Sequence, residues 1–418
     1  MEKLLSGNQL SIPEKEIDVI KTLIEKIIQE CPRRQSASKD ERKAQLIMKD
    51  VFERLGLNTH EESFLFSDNL YANMTLHFGV GTLGTIVSCI SPFLGFMLHM
   101  SAGISYYAES TRQAYLLRRL FPFKPSQNLM AEIPAKDSQK LRIVFLAHAD
   151  AAFTGLLFQP FMIKSFSGNL PPKLRFLKRS MALTTYSLFA LAGFDILRMA
   201  LGPLTWPLRP IEYILTIPTF LAFVLNFEVI MRNKVVPGAN DDLSGVAALA
   251  ILAKRFMEKK YDNVEFIFGV TGCEEASLGG GDALAKVKQG VWDKEKTVVI
   301  GLDGISGGTL RYFEVEGEVV PTPIPNWLKD VADETSSSED RFKEVTGFEV
   351  PVGGSDIAAF LARGYDGVCL GCVNPKIGAP DYYHTVNDSP ENLDYEKILF
   401  SVDFIEKLTD NIIKYKIN

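Results

Sequence analysis

Histidine and carboxylate side chains that could bind metal ions follow short apolar runs at several points of the sequence. They are His148, Asp150, Asp241, Glu274, Glu275, Asp303 and His384. Imidazole and carboxylate groups are the ligands that Zn²⁺ takes in catalytic sites. A carboxylate that bridges two ions about 3.5 to 4 Å apart leaves room for a shared hydroxide, which can attack a carbonyl group. These residue types therefore indicate hydrolytic metal chemistry.

Other residues of the same types are better explained by structural roles. His60 lies in a polar turn, and His77 and His99 lie inside an apolar segment. Cys369 and Cys372 form a Cys-x-x-Cys motif, which can bind zinc or carry out redox chemistry. No second cysteine pair accompanies the motif and it overlaps an apolar strand, so buried structural thiols are the favoured interpretation.

Strand-like and helical segments alternate around these motifs. Short apolar runs typical of buried strands occupy residues 129–133, 141–146, 264–271, 297–302 and 367–371. Helical periodicity covers residues 13–58, with Gly56 as a stop signal, and then residues 244–257, 281–287 and 395–413. This alternation predicts an α/β fold in which helices cover both faces of a buried sheet. The acidic, serine-rich segment 333–340 is interpreted as a solvated turn.

The predicted sheet explains how the candidate ligands could meet. His148, Glu274 and Asp303 each follow an apolar strand, and Asp241 directly precedes a predicted helix. Open α/β sheets bind their ligands just outside the carboxyl ends of the strands. We therefore expect one site at that edge of the sheet.

Two long apolar blocks interrupt the α/β pattern. Residues 69–108 contain no Asp, Glu, Lys or Arg, and the second block, residues 181–231, has two apolar halves separated by prolines. A membrane-spanning helix needs about 20 apolar residues. The blocks predict binding to a lipid bilayer through four spans, of which the first two are short enough to form a re-entrant hairpin instead: 76–91, 93–108, 181–201 and 211–231. A soluble enzyme with a hydrophobic lid is the alternative.

The blocks divide the chain into five segments. Residues 1–68 are expected to form a helical N-terminal part of the catalytic domain, and residues 69–125 a first hydrophobic helical insertion. Residues 126–165 return to the catalytic domain with the first metal motif, and residues 166–233 form a second insertion. Residues 234–418 carry the remaining motifs. Each insertion must return to the side that it left, so it crosses a membrane an even number of times.

The distribution of positive charge predicts which side that is. The loop at the far end of the second block has only Arg209. The catalytic side has Arg112, Arg118, Arg119, Lys124, Lys173, Arg175, Lys178, Arg179, Arg232 and Lys234. Lys and Arg concentrate in cytoplasmic loops, so the catalytic domain is expected to face the cytoplasm. An odd number of cysteines, 5, and an N-terminus without a signal-like apolar stretch agree with a reducing compartment. The net charge of −6 offers no basic field for nucleic acid.

The ordered motifs resemble the aminopeptidase-like family of dizinc metallopeptidases (clan MH), which includes aminopeptidases, glutamate carboxypeptidases and glutaminyl cyclases. His-x-Asp, Gly-Ala-Asn-Asp, Glu-Glu, Asp and Tyr-His-Thr follow one another in the family order. The resemblance covers residues 13–66, 126–160 and 234–415 and leaves both apolar blocks outside it. It implies a three-layer α/β/α domain with a mostly parallel mixed sheet, here with two hydrophobic helical hairpin insertions.

Carried over residue by residue, the resemblance implies two Zn²⁺ ions as cofactors. His148 and Asp303 would bind one ion, and Glu275 and His384 the other. Asp241 would bridge the two ions.

The resemblance also implies catalytic roles. Glu274 would be the general base, taking a proton from the bridging water and delivering it to the leaving amine. Asp150 would accept a hydrogen bond from His148 and fix its tautomer. The segment around Ser355 and Asp356 resembles a Ser-Asp-His-x-x-Phe motif, but Ile357 stands where the family has His.

The expected function is that of a membrane-associated dizinc metallopeptidase, specifically an aminopeptidase acting on peptides with a free N-terminus. Two alternatives remain open at this point. One is a glutaminyl-cyclase-like enzyme with a single zinc ion on the same fold. The other is a non-catalytic membrane scaffold, which would be expected to have lost ligands, whereas all five are present here.

Overall fold

The runs predicted as strands lie side by side in one mixed sheet of the computed structural model, which describes residues 15–167, 178–259 and 261–417. The strands of this sheet are β1 (Asn58–Phe66), β2 (Lys124–Ile133), β3 (Leu141–His148), β6 (Val264–Thr271), β7 (Thr297–Leu302), β8 (Thr309–Glu316), β9 (Thr322–Pro323), β10 (Thr346–Glu349) and β11 (Asp366–Val373). Two short strands, β4 (Phe153–Thr154) and β5 (Lys234–Val235), pair with each other.

The centre of the sheet is parallel. The strand order is β1-β2-β6-β3-β7-β11-β8-β10, and β9 pairs with β8. Strands β6, β3, β7 and β11 run parallel to one another. On one side of them, β2 runs antiparallel to β6 and β1 antiparallel to β2, and on the other side β8 runs antiparallel to β11. Every residue of β7 is buried, which explains why the central strands are continuous apolar runs. The carboxyl ends of the four central strands lie at one edge.

Helices cover both faces of this sheet. The α-helices of the described residues are α1 (Glu16–Glu30), α2 (Lys39–Leu55), α3 (Leu70–Ser88), α4 (Pro92–Ser110), α5 (Pro160–Ser167), α6 (Ser180–Leu201), α7 (Arg209–Arg232), α8 (Leu243–Glu258), α9 (Gly279–Lys288), α10 (Asn326–Ser338), α11 (Asp356–Leu361) and α12 (Tyr395–Ile417). Helices α1, α2, α8 and α12 pack together, with α8 against β3 and β6; α9 packs against α11 and β2, and α11 against β7 and β11. The predicted α/β class with a mostly parallel mixed sheet is confirmed.

The solvated turn predicted for residues 333–340 is wrong over its first part. Residues up to Ser338 belong to α10, which buries Leu328, Val331, Ala332, Thr335 and Ser336. The hydroxyl of Thr335 donates to the backbone carbonyl of Val331 at 2.7 Å. The hydroxyl of Ser336 donates to the backbone carbonyl of Ala332 at 2.9 Å. The helical spacing of these positions decides the structure, and the polar composition does not.

The two apolar blocks form four helices that pack as one cluster. Helix α3 packs against α4 and α7, and α6 packs against the same two helices. The first block lies between Phe66 and Lys124, which are paired residues of β1 and β2. The second lies between Thr154 and Lys234, which pair in the β4–β5 ladder. Each block therefore returns to the position from which it left.

One stretch of the described residues, Ser180–Arg232, is long and apolar enough to cross a membrane, judged by length and composition. In its most apolar window, 17% of the residues are buried inside the protein. Lys173 and Arg175, two of the positive charges that bear on orientation, lie outside the described residues.

Candidate metal centre

The structure brings the candidate residues of the sequence together at the carboxyl edge of the central strands. They are His148, Asp150, Asp241, Glu274, Glu275, Asp303 and His384. His148 is the last residue of β3, and Asp303 directly follows β7. Glu274 and Glu275 follow β6 after a turn in which Cys273 has a φ of 56°.

Asp241 lies at the centre of this group. Its Oδ1 atom is 3.2 Å from Nε2 of His148, and its Oδ2 atom is 3.2 Å from Nε2 of His384. The two oxygens of one carboxylate therefore face two different imidazole rings. This is the arrangement that a carboxylate shared between two ions requires.

Among the residues that the structure describes, potential ligand atoms form three overlapping groups, in each of which the atoms lie within 4.8 Å of one another. One group contains His148, Asp241 and Asp303, and another contains Asp241, Glu275 and His384. Asp241 belongs to both, so the donors are arranged around two adjacent positions. The third group joins His148 to Glu274 and Glu275.

Unpaired buried atoms show that these residues fit a metal ion. Within the described residues, Oε1 of Glu275 and Nδ1 of His384 are buried without a hydrogen-bond partner. Oε1 of Glu275 lies 3.4 Å from Nε2 of His384. A buried carboxylate oxygen without a donor is costly unless a cation neutralises it. The mixture of imidazole and carboxylate donors matches the preference of zinc.

The side chain of Asp150 organises the turn that carries the two glutamates. Its Oδ1 accepts the backbone N–H of Glu274 at 3.1 Å, and its Oδ2 accepts that of Glu275 at 3.0 Å and the hydroxyl of Ser36 at 2.6 Å. Nδ1 of His148 lies 3.1 Å from the backbone carbonyl of Asp150 and 3.5 Å from Oδ1. The carbonyl is thus the nearer acceptor for the ring N–H.

Two carboxylates without a role in the sequence prediction hold the ligand segments in place. Asp242 accepts the backbone N–H groups of His148, Gly245 and Gly304, at 3.0, 3.1 and 3.1 Å. It thereby ties the ends of β3 and β7 to the start of α8.

Asp388 accepts the backbone N–H groups of Asn240 and Asp241, at 2.6 and 3.1 Å. The sequence carries only a weak signal for Asp242 and Asp388. Asp242 is next to Asp241, and Asp388 lies four residues after His384.

Burial and mutual repulsion dominate the electrostatics of the cluster. Burial, helped by the negative charge of Asp241, raises the pKa of Asp303 to about 7. Burial, with the charges of neighbouring carboxylates, also raises the pKa of Glu274 and of Glu275 well above the usual range. Burial would raise the pKa of Asp241 too, but hydrogen bonds with His148 and His384 lower it. Bound cations would relieve this repulsion.

An aromatic wall, formed by Tyr71, Phe153, Phe158 and Tyr383, borders the cluster. The ring of Tyr71 meets Phe153 and Phe158 edge to face, with centroids 6.2 and 6.1 Å apart. Phe158 lies 4.5 Å from the ring of His384, and Tyr383 stacks on the same ring at 3.9 Å. The wall covers one side of His384 with apolar surface.

Two parts of this wall come from the apolar blocks and their connections. Tyr71 is in the first turn of α3, and burial followed by the charges of Glu275 and Asp241 raises its pKa well above the usual range. Phe158 lies in the excursion between β4 and β5. Through Tyr71, a helix outside the resemblance thus contributes directly to the surroundings of the site.

Ile357, which stands where the family has His, is a core residue. It is fully buried on α11 and packs against the Cα positions of Gly301 and Gly367 on β7 and β11, where a Cβ atom would lie 2.6 and 2.9 Å from it. Its neighbour Asp356 accepts the backbone N–H of Gly281 at 3.1 Å. This segment therefore packs the sheet against α9 and adds no imidazole to the cluster.

Comparison with known proteins shows what this chain is similar to. Residues 225–408 match the model described as Peptidase family M28. No curated protein matches the chain. The match includes Asp241, Glu275, Asp303 and His384, and it begins after His148.

Solved structures share the fold at low sequence identity. A zinc aminopeptidase from Bacillus subtilis is 13% identical with a TM-score of 0.55, covering 96% of each chain. A glutaminyl cyclase from an Acidobacteriales bacterium is 12% identical with a TM-score of 0.53, covering 97% of this chain and 98% of its own. An aminopeptidase from Aneurinibacillus sp. strain AM-1 is 14% identical with a TM-score of 0.52, covering 94% and 93%. The resemblance inferred from the motifs is confirmed.

Proposed function

We propose, from the premise that this chain is a zinc-dependent hydrolase related to Peptidase family M28, that it is a membrane-associated aminopeptidase with two zinc ions. The observation that carries the proposal is the position of Asp241, whose two oxygens each lie 3.2 Å from a different histidine. His148 and Asp303 would hold one ion on one side of Asp241. Glu275 and His384 would hold the other.

Glu274 is the general base of the proposed reaction. Its Oε2 atom lies 3.8 Å from Nε2 of His148, so the carboxylate reaches the cluster. Bound zinc ions would act as Lewis acids toward water and the scissile carbonyl. Glu274 then accepts the proton of the attacking water and transfers it to the leaving amine. Asp150 holds the backbone of Glu274 and Glu275 in the orientation that this transfer needs.

The proposed substrate is a peptide with a free N-terminus and a large apolar first residue. Carboxylates around the ions can pair with the α-ammonium group, because opposite charges attract strongly in a buried site. The aromatic wall offers apolar surface beside His384. Burying a large apolar side chain there contributes roughly 1.5 to 3 kcal/mol.

Membrane association is proposed for the cluster of α3, α4, α6 and α7. Large apolar side chains on these helices and their connections point outward, including Ile90 at 89% exposure and Leu204 at 76%. Soluble monomers rarely expose contiguous apolar patches larger than a few hundred Å². The positive charges near the catalytic side favour an orientation in which the active site faces the cytoplasm. The five segments predicted from the sequence are proposed as the domain division.

The test is hydrolysis of amino-acid arylamides by full-length protein purified in detergent, with metal content measured by mass spectrometry. We expect two zinc ions per chain, cleavage of leucine and phenylalanine arylamides, and loss of cleavage after treatment with a chelator. The N-acetylated arylamides are the matched control, because they lack the free amine. Cleavage of the acetylated compounds at equal rates would contradict the aminopeptidase proposal.

A glutaminyl-cyclase activity is the second candidate, since a glutaminyl cyclase has a TM-score of 0.53, close to the 0.55 of the aminopeptidase. It predicts one zinc ion per chain and ammonia release from peptides that begin with glutamine. The same preparation distinguishes the two, because arylamide cleavage releases a free amine and cyclisation releases ammonia. A protein that binds no zinc would support the non-catalytic scaffold instead.

A further inference from the structure

A second cluster of polar side chains lies inside the four apolar helices, far from the candidate metal centre along α3. Tyr71 is near the start of α3, whereas Ser88 is its last residue. Ser88 and His99 are fully buried, and Asp195, Arg198 and Glu212 are 1%, 8% and 1% exposed. Ionisable groups inside apolar helices are costly to bury unless they pair.

Hydrogen-bond donors and acceptors in this cluster can be assigned one after another. Thr216 donates to the backbone carbonyl of Glu212 at 2.9 Å, so its oxygen accepts from Thr85, which is 3.0 Å away. Thr85 has a single hydrogen, which this bond uses. Its oxygen therefore accepts from Nε2 of His99, at 3.2 Å.

The other nitrogen of His99 also carries a hydrogen. Nδ1 lies 2.8 Å from Oδ2 of Asp195, and an ionised carboxylate only accepts. Oδ1 of Asp195 accepts from the hydroxyl of Ser88, and Ser88 in turn accepts from Arg198 at 2.7 Å. Both ring nitrogens thus act as donors when every contact is satisfied, which only the imidazolium form allows.

The charges of the buried groups are consistent with this assignment. Arg198 lies 3.4 Å from Oε1 of Glu212, whose Oε2 is buried without a partner among the described residues. Asp195 and Glu212 are balanced by Arg198 and a protonated His99, so the cluster is neutral. With a neutral His99 the buried cluster would carry a net charge of −1, which is costly in apolar surroundings.

Glycines make room for these groups. A Cβ atom at Gly84 would lie 2.7 Å from the ring of His99. A Cβ atom at Gly95 would lie 2.6 Å from Cβ of Ser88 and 3.1 Å from Oδ1 of Asp195. The helices therefore approach closely where the polar side chains meet, and the space fits this set of side chains.

We propose that this cluster is a proton-binding site, in which Asp195, Thr85 and the surrounding charges hold His99 as a buried imidazolium ion. The bound proton links all four helices, because the groups that face His99 come from α3, α6 and α7. At the outer edge, Cys89 lies 3.8 Å from Arg209, which adds one more titratable group and one more positive charge. Without this proton the buried charges would not balance, and the hydrogen bond from Nε2 to Thr85 would be lost.

His77 provides a contrast within the same four helices. Its Nδ1 lies 2.8 Å from the backbone carbonyl of Asn73, and its Nε2 lies 2.8 Å from the hydroxyl of Ser105. Ser105 accepts the N–H of Leu117 at 2.9 Å, and its own hydrogen is available for Nε2. One ring N–H and one bare nitrogen satisfy every contact, so His77 is neutral.

The test is nitrogen NMR of full-length protein labelled with ¹⁵N-histidine, in detergent micelles at neutral pH. The variants His99→Gln and His77→Gln identify which ring-nitrogen signals belong to each of these two histidines. We expect both ring nitrogens of His99 in the protonated range and only one of those of His77. A bare nitrogen at His99 in the wild-type protein overturns the proposal.

Asp195→Asn tests the partner of the proton. An amide does not balance the imidazolium charge, so His99 is expected to become neutral while the His77 signals stay in place. The His77 signals also report that the helices remain folded in the variant. If they are unchanged and His99 keeps both protons, Asp195 is not the group that holds the proton and the proposal fails. If the variant does not fold, the wild-type spectrum decides.

Discussion

The ring of Phe158 lies 4.5 Å from the ring of His384. One residue belongs to the excursion between β4 and β5, and the other to the loop between β11 and α12. His384 is a candidate metal ligand, and the contact with Phe158 limits the space beside its ring. The apolar excursion therefore influences what can bind at the candidate metal centre.

Phe158→Ala is expected to weaken the binding of substrates with large apolar first residues. Removing apolar surface worth about 1 to 3 kcal/mol predicts a KM for phenylalanine arylamide about 5-fold to 160-fold higher, with a smaller change for alanine arylamide. Phe161→Ala is the matched control, because Phe161 lies in the same excursion and is 66% exposed. Equal losses for the two substrates would show that the wall does not select the first residue.

Glu274→Gln is expected to keep the metal and lose turnover. The amide cannot accept the proton, so kcat should fall by about 10² to 10⁴, while zinc content stays at the wild-type value. Asp241→Ala should instead lose zinc, because it removes the carboxylate that contacts both histidines. Glu258→Gln, at an exposed position on α8, is the control. Near-normal turnover in Glu274→Gln excludes it as general base.

Stability is expected to depend on pH through Glu316. Burial raises its pKa to about 8, although hydrogen bonds from Ser355 oppose the shift. The folded protein thus holds a proton that the unfolded chain releases above a pKa of about 4.3. The stability that this group contributes is complete below about pH 4.3, falls as the pH rises above that value, and is lost once the pH passes about 8.

Glu316→Gln should remove that dependence, since an amide does not ionise. A Tm higher than wild type by about 2 to 4 °C is expected at pH 8.5, and a smaller difference at pH 5. Thermal unfolding across this pH range measures both. A wild-type Tm difference between pH 5 and 8.5 that persists unchanged in the variant would rule out Glu316 as its source.

Membrane topology can be tested with the natural cysteines. Cys89 is exposed, whereas Cys31, Cys273, Cys369 and Cys372 are buried. The protein is expected to remain in the membrane fraction after a carbonate wash. In a Cys89→Ser background, Leu204→Cys should react with an impermeant thiol reagent on intact cells, because it lies at the far end of the helices.

Ser138→Cys, at an exposed position on the catalytic side, should react in the same background only after lysis. Labelling of Ser138→Cys on intact cells would reverse the orientation. Recovery of the protein in the soluble fraction would contradict membrane association altogether.

Periodicity was sufficient to predict strands β2, β3, β6, β7 and β11, but not β1, β8, β9 and β10, and motif order predicted which residues meet at the carboxyl ends of the central strands. Each central strand is a continuous apolar run because it is buried on both faces. Parallel strands place their carboxyl ends at one edge, so residues far apart in sequence, such as His148 and Asp303, were expected to meet. The structure places them in one group.

Contacts made by loops and by single hydrogen bonds could not be predicted in this way. Asp242 and Asp388 act on backbone N–H groups, which every residue except proline has, so the sequence carries no signal for the partner. His99 and Asp195 are 96 positions apart on helices whose packing no local pattern specifies. Residues 333–338 belong to α10, but their acidic and serine-rich composition led to the prediction of a turn although buried positions recur at helical spacing.

The pairing of Phe66 with Lys124 and of Thr154 with Lys234 has a consequence for the history of the chain. Each apolar excursion occupies the place of a simple turn between two residues that are already neighbours. An ancestral enzyme could acquire or lose such a segment without any strand of the sheet changing its partner. The same economy makes the chain open to engineering, in which short turns at these two junctions replace the helices and keep the strand pairing of the sheet.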